Sequence, residues 1–141
     1  MLTDFVVADR SEAEAVSSSR TRSSTWPCFE SKGLDNSVLA ALWSALDPSA
    51  DSGSLEGEKH LIFTQGNGGP WVFNVPTELV TGLSALSPGL LLQVAERWVE
   101  QRELKPAGWR APDVVPAIEA LSAIACTAIS DKKCLLLWMS L

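Results

Sequence analysis

The segment His60-Leu61-Ile62-Phe63-Thr64-Gln65, then Gly66-Asn67-Gly68-Gly69-Pro70, then Trp71-Val72-Phe73-Asn74-Val75 decides the fold. Two β-prone runs flank a Gly/Asn/Pro cluster, the pattern of a β-hairpin. Pro76 follows at once. Proline ends a strand and suits the first turn of a helix, so Pro76-Thr77-Glu78 opens an apolar helical run through Leu83 and Leu86.

Working outward, Cys134–Leu141 reads Cys-Leu-Leu-Leu-Trp-Met-Ser-Leu, nearly all apolar. A run of this kind suits a strand covered on both faces, hence a central strand. Thr3–Ala8 is short and β-rich, a first strand. Pairing these two segments would tie down both chain ends.

Helices fill the intervals. Asp9 with Glu12 has the spacing of a capping box, so a short helix runs to about Val16. Asp35 or Asn36 caps a helix whose buried stripe is Val38, Leu39, Leu42, Trp43 and Leu46. Ser87-Pro88 opens another, with Leu91, Val94, Ala95 and Trp98 on one face. Ala111-Pro112-Asp113 opens the last, with Val114, Ile118, Leu121, Ala125 and Ala128 inward. The expected fold class is α+β: a small, mostly antiparallel sheet of about four strands packed against about five helices. Its strands are the N-terminal strand, the central hairpin and the C-terminal strand. The chain, residues 1–141, is read as one domain. Ser17–Thr25 has no apolar residue, and 48–58 is polar, acidic and Gly/Ser-rich, so both are expected to be mobile loops.

Charge narrows the function. The net charge is −6, and residues 1–58 carry ten acidic against four basic side chains, which accounts for all of it. Nucleic acid and anionic membrane are disfavoured as partners, because both are bound through basic contacts. A basic protein partner is permitted. No uncharged apolar stretch approaches the length of a membrane span. Three cysteines, Cys28, Cys126 and Cys134, stand at no CxxC spacing, which points to free thiols in a reducing, cytoplasmic compartment.

No cofactor or metal is expected. Gly66–Gly69 leads into a strand and carries no Lys, so it is a turn and not a phosphate cradle. His60 is the only histidine and has no partner at metal-ligand spacing. One catalytic pairing can be built: Cys28 as thiol nucleophile, activated by Arg20 and Arg22, with His60 as base. Cys126 and Cys134 read as buried small hydrophobes. Glu103 belongs to a charged helix surface with Glu96, Glu100, Arg97 and Arg102.

The six tryptophans, with no tyrosine, carry the binding expectation. Trp43 and Trp98 lie on apolar helix faces and belong to the core. Trp26, Trp71 and Trp109 lie beside Pro or Gly at element ends, where exposed rings would mark a binding surface.

Several short motifs, in order, carry a resemblance. They are Asp4-Phe5-Val6-Val7-Ala8, Lys32-Gly33-Leu34-Asp35, Gly69-Pro70-Trp71-Val72 with Val75-Pro76, Trp98 with Glu103-Leu104 and Gly108-Trp109, and the ending Leu137-Trp138-Met139-Ser140-Leu141. In these the chain resembles a family of small uncharacterised bacterial proteins, frequent in actinobacteria. It departs from that pattern at Ser17–Thr25 and at Arg102. The resemblance implies an α+β fold and a cytoplasmic bacterial origin, and no particular activity.

The expected function is a non-enzymatic protein-interaction domain, of which an immunity- or antitoxin-like inhibitor is one form. Its binding residues would be Trp26, Trp71, Trp109, Glu103 and Cys28, with acidic loops. The alternative is a small enzyme or ligand-binding protein with a pocket between sheet and helices, using Cys28, His60 or Glu103. A homodimer built on exposed apolar rings is a third form.

Overall fold

In the computed structural model, which describes residues 1–141, the two ends of the chain lie side by side. Strand β1 (Leu2–Ala8) runs antiparallel to β5 (Cys134–Ser140), with Leu2 opposite Ser140 and Ala8 opposite Cys134. The hairpin strands are β3 (Leu61–Thr64) and β4 (Trp71–Asn74), and β4 pairs with the other side of β5. An edge strand, β2 (Cys28–Lys32), completes the sheet in the order β2-β1-β5-β4-β3, antiparallel at every pairing. β5 is central, and Leu135 to Met139 are all buried.

Alternation divides the sheet into two faces. Phe5, Val7, Phe73, Val75, Leu135, Leu137 and Met139 join the large core. Above them pack α3 (Asn36–Leu46), α4 (Thr77–Ser84), α5 (Leu91–Val99) and α6 (Ala111–Ser130). Of the expected inner faces, Leu39, Leu42, Trp43, Val94, Ala95, Trp98, Val114, Ile118, Leu121, Ala125 and Ala128 are buried, whereas Val38, Leu46 and Leu91 are only partly buried against the same core. Trp98 donates its indole N–H to the Val38 carbonyl at 3.1 Å, so a large ring is buried without an orphaned donor. Asp35 is the cap of α3, its Oδ1 accepting the Val38 N–H at 3.0 Å. α6 has 20 residues and contains an 18-residue window of mean hydropathy 1.5, enough by length and composition to cross a membrane. Here its apolar stripe is spent on the core, against the sheet and α4 and α5.

The opposite face carries Val6, Ala8, Val72, Leu136 and Trp138, covered by Ala13 and Val16 of α1 (Ala13–Ser18) and by Trp26. Asp9 N–H donates to Glu12 Oε1 at 3.0 Å, which starts this helical segment as the Asp9–Glu12 spacing implies.

Three expectations need correction. β2 is a fifth strand that apolar patterning misses, because Glu30 and Lys32 make it a polar edge, as exposed edges commonly are. The segment 17–25 is not a loop throughout: α1 extends to Ser18, and α2 (Arg22–Thr25) follows. Its anchor is a charge and not an apolar side chain. Arg22 Nε donates to Asp4 Oδ2 at 2.8 Å, and Nη1 donates to the carbonyls of Val16 and Ser19. The guanidinium lies 3.4 Å from the centre of the Trp138 ring. The segment 48–58 likewise contains a 3-10 turn, Ser52–Glu56, held by fully buried Leu55 and by Asn36 Nδ2 donating to the Leu55 carbonyl at 2.9 Å.

Arg22 and Asp4 are each only 12% exposed at the side chain, so this pair is unlike a solvated surface ion pair. Removing one partner leaves the other buried and uncompensated, which costs roughly 3–5 kcal/mol. Arg22→Ala is expected to lower the unfolding free energy in urea by about 3 kcal/mol, against under about 0.5 kcal/mol for exposed Arg20→Ala. Adding Asp4→Asn to Arg22→Ala should recover more than half of the loss.

Candidate functional site

The sheet separates the residues of the possible catalytic pairing. Cys28 lies on edge strand β2, and His60 precedes β3 at the opposite edge. Four strand spacings, about 19 Å, stand between them. The Cys28 environment also opposes activation: burial, then Asp4, then Glu30 push its thiol up to about 12, against a smaller lowering by Arg22. A thiol so placed stays protonated near neutrality and is a poor nucleophile.

His60 has a nearer partner. Its Nε2 lies 3.0 Å from Ser54 Oγ in an open cleft of 410 Å³ that also holds Asp51, Lys59 and Glu78. Ser54 has one hydroxyl proton, donated to the Asp51 carbonyl at 2.6 Å. Nε2 is then the donor to Ser54 Oγ, and no proton is left for the imidazole to abstract. The contact fixes the loop and activates no nucleophile in this geometry. Burial, then the Lys59 charge, lowers the imidazole pKa, against smaller raising effects of Asp51 and Glu78.

The proposed binding residues are dispersed. Trp26 and Cys28 come together on the small sheet face, where Trp26 donates its indole N–H to Glu12 Oε2 at 3.1 Å. Trp109 is half-exposed and lines a narrow 120 Å³ cleft with Phe29, Lys32, Leu34 and Trp98. Glu103 lies in the turn after α5, 3.8 Å from the almost wholly exposed Arg102, an arrangement worth little energy. Cys126 is exposed and Cys134 half-buried, so neither is the fully buried thiol expected.

Trp71 is where ring and acidic loop meet. The large-core side of the hairpin ends in an open cleft of 290 Å³. Leu61, Trp71, Phe73 and Met139 line it, together with Glu56 and Glu58. The register puts Trp71 opposite Met139 and Leu61 opposite Phe73, so strand pairing positions this apolar floor. Buried Leu55 and the Asn36 bond hold the adjoining loop, which sets Glu56 and Glu58 at the mouth. Neither carboxylate has an ion-pair partner. Gly69 makes the approach possible. Its φ is +74°, and a Cβ there would stand 2.6 Å from the Trp71 ring. A signal for this cleft existed in the sequence, since Trp71 and the acidic segment before His60 are both conspicuous. Their sharing of one cleft depends on a loop folding back onto α3, which periodicity does not encode.

Two measurements check this account. Iodoacetamide at neutral pH should label exposed Cys126 first and leave Cys28 unmodified in the native protein. The imidazole resonances of the single histidine should titrate with a midpoint below the ordinary 6.5. Because the unfolded chain then binds that proton more readily, the His60 contribution to stability is complete above pH 6.5 and is lost as pH falls through the folded midpoint. His60→Gln should flatten that part of the stability profile. No family model matches the chain, and no curated protein and no solved structure matches it.

Proposed function

We propose that this chain is a non-enzymatic protein-interaction domain whose Trp71 cleft takes a basic segment of a partner protein. The observation that carries this reading is the meeting of Trp71 with Glu56 and Glu58 in one cleft. Each part suits a lysine or arginine side chain. The apolar floor accepts the aliphatic stem, the indole face attracts the cation, and the carboxylates neutralise it. At 290 Å³ the cleft lies at the lower limit of sites that enclose a drug-sized molecule, and it holds one or two side chains of a longer segment.

The surrounding charge favours the same partner. Asp51 lies on the same loop, offset only by Lys59 at 3.6 Å, with both side chains largely exposed. An acidic surface around an apolar site speeds encounter with a basic segment and rejects an acidic one.

Selection of a random displayed heptapeptide library against the purified protein tests the proposal. Enrichment of Lys- or Arg-containing peptides with apolar neighbours is expected. Their affinity should fall about tenfold or more for Trp71→Ala and for the Glu56→Gln/Glu58→Gln pair, and remain for Trp109→Ala. Failure to enrich basic peptides, or equal binding by wild type and Trp71→Ala, would overturn it.

A further inference from the structure

The small sheet face carries a second, differently built cleft. The register places Leu2 opposite Lys32, Asp4 opposite Glu30, and Asp4 opposite Trp138 on its other side. These side chains share one face, because positions two apart along a strand point the same way. Arg22 covers Asp4 and Trp138 from α2. Beyond Arg22 the face opens as a cleft of 260 Å³ lined by Leu2, Asp4, Arg22, Glu30, Lys32 and Trp138.

Its charges are incompletely matched within the protein. Two carboxylates directly opposite on neighbouring strands repel one another. Arg22 pairs with Asp4 alone, and Glu30 and Lys32 make no ion pair. Polar valences remain free at the floor. A guanidinium has five N–H donors, of which Nε and Nη1 are engaged and Nη2 bonds no protein group. Asp4 uses Oδ2 and leaves Oδ1 without a protein partner. The only side-chain polar atom both unpartnered and sealed from solvent is Ser17 Oγ, so these two reach the cleft or its water. Asp4 and Arg22 are thus charged groups kept mostly out of water at the base of an open cleft, with hydrogen-bonding capacity to spare.

We propose that this cleft binds a free α-amino acid as its zwitterion. The ammonium lies between Asp4 Oδ1, which Arg22 leaves free, and Glu30, which has no ion-pair partner. The carboxylate faces Arg22 Nη2 and Lys32. The side chain rests on half-exposed Leu2. The volume admits a ligand of this size. The site is separate from the Trp71 cleft and independent of its occupant.

The twenty common amino acids, pooled in small sets at millimolar concentration, are titrated into uniformly ¹⁵N-labelled protein. At least one is expected to give saturable shifts of β1 and β2 amides. The amine lacking its carboxylate and the acid lacking its ammonium should each bind about tenfold more weakly or worse, the effect of losing a charged hydrogen-bonding group. Glu30→Gln and Lys32→Met are exposed changes that leave the spectrum folded, and each should weaken the amino acid about tenfold. No saturable shift with any pool overturns the proposal. So does either half-ligand binding as tightly as the amino acid, or both variants binding it like wild type.

Discussion

The antiparallel ladder between the first and last strands is the constraint on which the rest of this structure depends. Seven residues of β1 pair in register with seven of β5. Closing the chain end to end is the least local contact available, and its loop entropy must be met by burial. β5 meets it by being central: Leu135, Leu137 and Met139 fill the large core, and Leu136 and Trp138 fill the small one. Without that ladder, β2 loses its neighbour β1 and the hairpin loses its neighbour β5. Both clefts would go with it, because each is floored by side chains whose positions the strand register sets.

The two faces are built by different physics. On the large face, four helices bury aliphatic stripes, and geometry follows from volume and shape. On the small face there is too little apolar surface to hold a second layer by burial alone, since its cluster has 7 buried residues against 28. Directed contacts supplement it. Trp138 donates to the Ser17 carbonyl at 3.3 Å and lies under the Arg22 guanidinium, while Arg22 also bonds Asp4 and two backbone carbonyls. A charged anchor of this kind is position-specific in a way that apolar packing is not, so α2 can be short and still be placed.

That difference explains what the residues revealed in order and what they concealed. The β5 run and the stripe of α6 were legible because burial on two faces, or on one helical face, leaves a periodic trace. Trp71 stood out for its place beside a Gly/Pro turn. β2 left almost no trace, because an edge strand is one-sided and charged. The helical turn at Arg22–Thr25 left none, since its anchor, Asp4, is 18 residues away in sequence. The same long-range character hid the sites: Leu55 and Asn36 bring the acidic loop to Trp71, and Asp4 meets Glu30 only through strand pairing.

The sheet edges also bear on the proposed recognition at a cleft. A partner can add a strand to an exposed edge, but here both edges discourage it. β2 is five residues long, with Glu30 and Lys32 among them. β3 has four residues, and its register with β4 shifts between Leu61 and Phe63, which breaks the regular row of backbone groups a new strand would need. What remains beside the β3 edge is side-chain surface: the Leu61 and Trp71 floor and the carboxylates of Glu56 and Glu58. A partner of the proposed kind would be read there by shape and charge, through its own side chains, and not by its backbone.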